Sequence, residues 1–136
     1  MLMNVYSAEN WKKEKAIFLF DQGIKMSTDN KYGGLVYGYS SEGKFSNSKK
    51  YFWAQAEALA AAWRLYKLTN DNKYYEFYIS LRSYCWENFI DHEYGAWFHI
   101  LSREGKQFGN IKSPLGKTDY HTMGACWDII NIMKIN

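Results

Sequence analysis

Four stretches of the chain carry apolar side chains in a helical pattern. Trp11, Ile17, Phe18, Phe20, Ile24 and Met26 lie in a segment without proline, and Tyr74, Phe77, Tyr78, Leu81, Tyr84, Cys85 and Phe89 recur at three- and four-residue spacing. Between them runs AQAEALAAAWRLYKL, whose alanines at 54, 56, 58, 60, 61 and 62 favour helix and permit close backbone approach, so an inner, crowded helix is expected. It ends near Thr69 and Asn70, and Asp71 is placed to cap the next helix. Thr118 or Asp119 is placed to cap a last one running through Met123, Cys126, Trp127, Ile130 and Met133. The pattern predicts helices near residues 8–26, 50–68, 71–90 and 118–134.

The segments between the helices repeat. Asp29, Tyr32, Gly33, Ser40, Glu42, Gly43 and Lys44 return as Asp91, Tyr94, Gly95, Ser102, Glu104, Gly105 and Lys106, each 62 positions on and without a gap. Each copy reads D-x-x-Y-G, a short apolar run, then S-x-E-G-K, which describes two brief extended pieces around a glycine turn. The chain is read as one domain, 1–136, of two helix, hairpin, helix units at about 8–68 and 71–134. Units of this kind bury their apolar faces against neighbours, and about three are usually needed for stability. A pair is expected to leave an apolar flank open and to self-associate or join further repeats.

Composition narrows the function. The 136 residues are 47% hydrophobic and 23% charged, as in a globular domain, and no run reaches the roughly 18 apolar residues of a membrane span. The start lacks the apolar run of a secretory signal, so a cytoplasmic location is expected, without a membrane partner. The net charge of +3 is spread without a basic stripe, which argues against nucleic acid. Cys85 and Cys126 stand far apart without metal-ligand spacing, and both are expected to be reduced core residues, with no metal site. Aromatic residues make up 19%, enough for a thick core or for a surface that stacks on flat rings and sugars.

Three motifs then point to a family. FWAQAEALAAAWRLYKLTND, Phe52 to Asp71, resembles the tract W-x-Q-A-E-A-L followed by Y-x-x-T-x-D of the N-acylglucosamine 2-epimerase family, which includes cellobiose 2-epimerases and mannose isomerases. FIDHEYGAWF is similar to that family's F-x-D-x-E-x-G-x-W-F, and GKTDYHTMGAC to its aromatic-His motif. The resemblance spans the chain but only the last third of a full family member. It implies an all-α fold, part of an (α/α)6 toroid. It also implies a mono- or disaccharide substrate and proton transfer next to the sugar carbonyl, with paired His residues as acid and base and no redox cofactor. Gly124 and Gly116 stand where many members carry Arg and Trp, and Ala96 replaces a common Glu. The family's other catalytic His and an active-site Arg belong to repeats upstream of this stretch, so the chain alone is expected to be inactive.

Candidate site residues follow. His121 opens the last helix, whose positive end favours the neutral ring that can accept a proton, although a His near a helix start can also be purely structural. Trp53 and Glu57, four apart, share a helix face, with Gln55 beside them. Read alone, they are either a stacking platform with groups that hold hydroxyls, or a core Trp with a solvated Glu; the resemblance favours the sugar site. Lys117, four before His121, either reaches a hydroxyl or carboxylate of the substrate or is an exposed loop lysine. Trp53, Gln55, Glu57 and His121 are expected along one rim, all at least partly exposed. His99 reads as surface or loop. Two other functions compete: a glycoside hydrolase-like toroid using Glu57 and Asp119 as its carboxylate pair, and a non-catalytic remnant or partner subunit whose aromatic face binds sugar or protein.

Overall fold

The computed structural model describes residues 10–109 and 111–134. Four helices carry the fold: α1 Asn10–Ser27, α2 Phe52–Thr69, α3 Asn72–Asn88 and α4 Tyr120–Met133. They fall within two residues of the predicted bounds at every described end, and residues 8 and 9 of the first expected helix lie outside the described residues. Asp71 caps α3 as expected, accepting the Lys73 N–H at 3.0 Å. Asp119 occupies the equivalent place before α4 but accepts no such bond. Its ψ of 4° departs from the extended backbone that swings a capping side chain under the first turn.

Helix α2 is central. Its alanines do what their size allows: Ala56 and Ala60 meet Ala125 of α4 in one buried cluster, so those two helices lie close together, and Arg64 pairs with Asp128 at 2.8 Å across the same seam. On its other side Leu59, Ala62 and Trp63 pack on Tyr78, Leu81 and Cys85 of α3. Helix α1 joins through Phe20, whose ring stands edge-on to Tyr74 and Phe77 at 5.8 and 5.6 Å. Cys85 is buried, which pushes its thiol up, but Cys126 is exposed and the core expectation for it is wrong. It lies, with Met123, Trp127 and Ile130, on a flank of α4 that is exposed among the described residues; Trp11, Phe18 and Leu19 of α1 are exposed likewise. Among the described residues no helix is long and apolar enough to cross a membrane.

The turns of the repeat recur with the same bonds. Gly33 and Gly95 both take a left-handed φ, 73° and 74°. The Gly33 N–H donates to the Asp29 carbonyl and the Gly95 N–H to that of Asp91, at 2.8 and 2.9 Å, and Ser40 and Ser102 each donate to the lysine carbonyl four residues on at 2.7 Å. Strands β1 Gly38–Tyr39 and β2 Phe45–Asn47 close the first hairpin. The second hairpin instead lends β4 Ile100–Leu101 to β3 Lys50–Tyr51, which ties it to the start of α2.

One repeat pair predicts opposite substitution effects. Gly34 and Ala96 share φ near 67° and 65°, a region that costs a residue with a Cβ about 1 kcal/mol. Ala96→Gly is expected to stabilise the chain by about that amount in a denaturant melt. Gly34→Ala is expected to destabilise by more, because a Cβ there would stand 2.4 Å from the Tyr84 ring.

Candidate active site

The close approach of α2 and α4 brings two distant residues into contact. His121, second residue of α4, places Nδ1 2.8 Å from Glu57 Oε1 of α2. A carboxylate only accepts, so Nδ1 carries the hydrogen, and in the neutral ring the lone pair is on Nε2. The Trp53 ring lies 5.7 Å from the imidazole, and Phe52 and Tyr120 flank it at 6.3 and 5.2 Å. Trp53 is half-buried, while the side chains of His121 and Glu57 are 35% and 54% exposed. An oriented base beside an indole face is thus open to a ligand from one side.

Gln55 does not join this group. Two residues along a helix is a turn of about 200°, so Gln55 points away from Trp53 and Glu57, which are four apart and share a face. It is 0% exposed and spends its amide on the first hairpin, accepting the Leu35 N–H at 2.9 Å and donating to the Leu35 carbonyl at 2.8 Å. The expectation of an exposed, substrate-holding Gln55 is therefore corrected. Lys117 is half-buried, with Nζ on the Trp97 carbonyl and 4.7 Å from the Phe52 ring centre.

Sequence reasoning missed three neighbours. Tyr37 of the first hairpin stands edge-on to Trp53 at 5.9 Å and extends the aromatic shelf. Phe52 forms the floor between His121 and His99, and His99 lies 5.6 Å from it. Burial, then the nearby Lys117 charge, push the His99 ring down from its usual proton affinity. The alternation of Tyr37 and Tyr39 along the first hairpin was a usable signal for the shelf; nothing local marked His99. His92 is remote from the site and bonds the Trp86 carbonyl. Among the described residues no cluster of three or more His, Cys, Asp or Glu is placed to hold a metal ion.

Fold and site define a helix-and-hairpin repeat protein with a carboxylate-oriented imidazole at an aromatic rim. The sequence profile of N-acylglucosamine 2-epimerase (GlcNAc 2-epimerase) matches residues 1–125, and the chain belongs to that family. It is 47% identical over 135 residues to a D-mannose isomerase of Marinomonas mediterranea, covering 99% of this chain and 34% of the isomerase. An N-acylglucosamine 2-epimerase of Bos taurus is 29% identical, over 76% of this chain and 26% of its own length. A crystal structure of D-mannose isomerase superposes with a TM-score of 0.92 at 49% identity, over 96% of this chain and 33% of that one. A cellobiose 2-epimerase from Spirochaeta thermophila shares the fold, with a TM-score of 0.76 at 20% identity over 98% of this chain and 34% of its own. The chain therefore spans about a third of the length of these relatives.

Proposed function

We propose that this chain is the C-terminal part of a carbohydrate 2-epimerase or aldose–ketose isomerase built as an (α/α)6 toroid, of which it supplies two helix pairs. The observation that carries the reading is the 2.8 Å contact of His121 with Glu57 beside the Trp53 ring. Trp53 stacks on the sugar, and His121 Nε2 takes the proton from the carbon next to the open-chain carbonyl. The electron pair of that C–H bond moves into a C=C bond, and the carbonyl becomes an enediolate oxygen. Return of a proton to the other face of C2 yields the epimer; return to C1 yields the ketose. Glu57 keeps His121 in the productive tautomer and stabilises the imidazolium formed midway. Hydrogen moves as a proton throughout, so no redox cofactor is needed.

Against the hydrolase reading, the Glu57 carboxylate is engaged by His121, whereas cleavage between two carboxylates needs both facing the glycosidic bond. The test is product analysis with mannose, N-acetylmannosamine and cellobiose, on a polypeptide that joins this chain to the remaining two-thirds of a family member. An epimer or ketose is expected. Release of reducing ends would establish the hydrolase, and sugar binding without turnover the non-catalytic subunit. Alone, the chain is expected to be inactive and to associate through the exposed Trp11, Phe18, Met123 and Trp127 side chains, which light scattering reads directly.

A further inference from the structure

Leu35 and Trp97 occupy the same place in their hairpins, 62 positions apart, and the peptide group that follows each is held from both sides. In the first hairpin the Val36 N–H donates to the Ser27 carbonyl at 2.9 Å, while the Leu35 carbonyl accepts from Gln55 Nε2 at 2.8 Å. In the second, the Phe98 N–H donates to the Phe89 carbonyl at 2.8 Å, while the Trp97 carbonyl accepts from Lys117 Nζ at 2.5 Å. Gln55 and Lys117 are themselves 62 apart, so the same bond is made from the same place by two different side chains. The difference has a structural reason. Gln55 reaches from the first turn of α2, but the matching stretch of the second unit is not helical, because α4 starts only at Tyr120. The longer lysine reaches from loop to hairpin.

We infer that Lys117 is a positioning residue: by holding the Trp97 carbonyl it anchors the segment leading into α4 to the second hairpin, and so sets the His121 ring against Glu57. The inference rests on reading His121 as the acid/base group, but it concerns where the ring stands and not which sugar it meets. Lys117 lies four positions before His121, and its ammonium sits over Phe52, the ring that also flanks His121 at 6.3 Å. What the task requires is a donor of sufficient reach. The charge is incidental to it: burial works against that charge, Asp119 favours it, and Lys112 opposes it, with a net downward push on the lysine's proton affinity. A substrate-binding lysine would need the charge.

The experiment compares Lys117→Gln with Lys117→Met in this chain, reading the His121 ring tautomer by ¹⁵N NMR and the Phe98 amide by hydrogen exchange. The Gln variant, which copies the first unit, is expected to keep the Nδ1–H form of His121 and slow exchange at Phe98. The Met variant is expected to lose that tautomer preference and to exchange at Phe98 about tenfold faster, the scale of one net hydrogen bond. His99 serves as control: loss of the Lys117 charge raises its proton affinity in both variants. A Met variant like the parent in both readouts, or a Gln variant as damaged as the Met one, overturns the inference. Lys117→Ala replaces the Met variant if that chain does not fold. No sugar is present, so failure of the proposed activity would leave this result standing, and the reverse.

Discussion

His121→Ala, in a polypeptide completed to the length of its relatives, is expected to lower turnover by about 100-fold or more. Loss of a positioned acid/base group costs about 10²–10⁴-fold, and no other imidazole contacts Glu57 among the described residues. Steady-state kinetics check it, and the pattern matters as much as the size. Trp53 remains to stack on the sugar, so kcat is expected to fall with little change in KM. A smaller loss is expected for Glu57→Gln, which leaves the base in place but replaces the carboxylate that stabilises its protonated form. Unchanged turnover in His121→Ala would remove that residue from the mechanism.

Asp29→Ala is expected to cost about 3–5 kcal/mol, measured as a shift of the denaturant midpoint, the scale for removing one partner of a buried ion pair. Asp29 is 1% exposed and accepts from the Arg103 guanidinium at 2.9 and 3.2 Å. Lys50, 0% exposed, has Nζ 3.6 Å from the same carboxylate and donates to the Gly33 and Arg103 carbonyls. Removing the carboxylate leaves that ammonium buried without its counter-charge, between the two hairpins that Arg103 ties together. The acid limb of stability carries the same signature. Burial alone would raise the Asp29 carboxyl, but the Arg103 bond, the Lys31 N–H and the Lys50 charge outweigh it and hold it at about 2. A depressed carboxyl stabilises fully above its unfolded value of about 3.9 and loses that contribution as pH falls through about 2. Between pH ~4 and ~2 the parent chain is therefore expected to lose stability more steeply than Asp29→Ala.

Much of this was legible because periodicity and repetition are local. The helix bounds came from apolar spacing and from Asp71, and the matching left-handed turns at Gly33 and Gly95 from residues held at one offset. The buried charge cluster was not legible in the same way, since Asp29 and Arg103 are 74 positions apart and meet only once the hairpins stack. Half of it did leave a trace: Lys50 and Lys112 also lie 62 apart, and the Asp29–Lys50 pair returns as Asp91–Lys112 at 2.5 Å. Carrying the repeat comparison past Lys44 finds them. In the site, Trp53, Glu57 and His121 met as expected, whereas Gln55 was misjudged because adjacency in a motif was taken for adjacency on a helix face.

The reading turns on proton transfer at the carbon beside the sugar carbonyl, and the most direct measurement is isotope exchange in D2O. Mannose, N-acetylmannosamine and cellobiose are incubated with the completed polypeptide, and the C2 proton is followed by NMR. Solvent deuterium is expected at C2 of at least one of them, lost when His121 is replaced by Ala and absent with this chain alone. Epimer formed with the original hydrogen fully retained at C2, or exchange that survives His121→Ala, would contradict the proposed proton transfer.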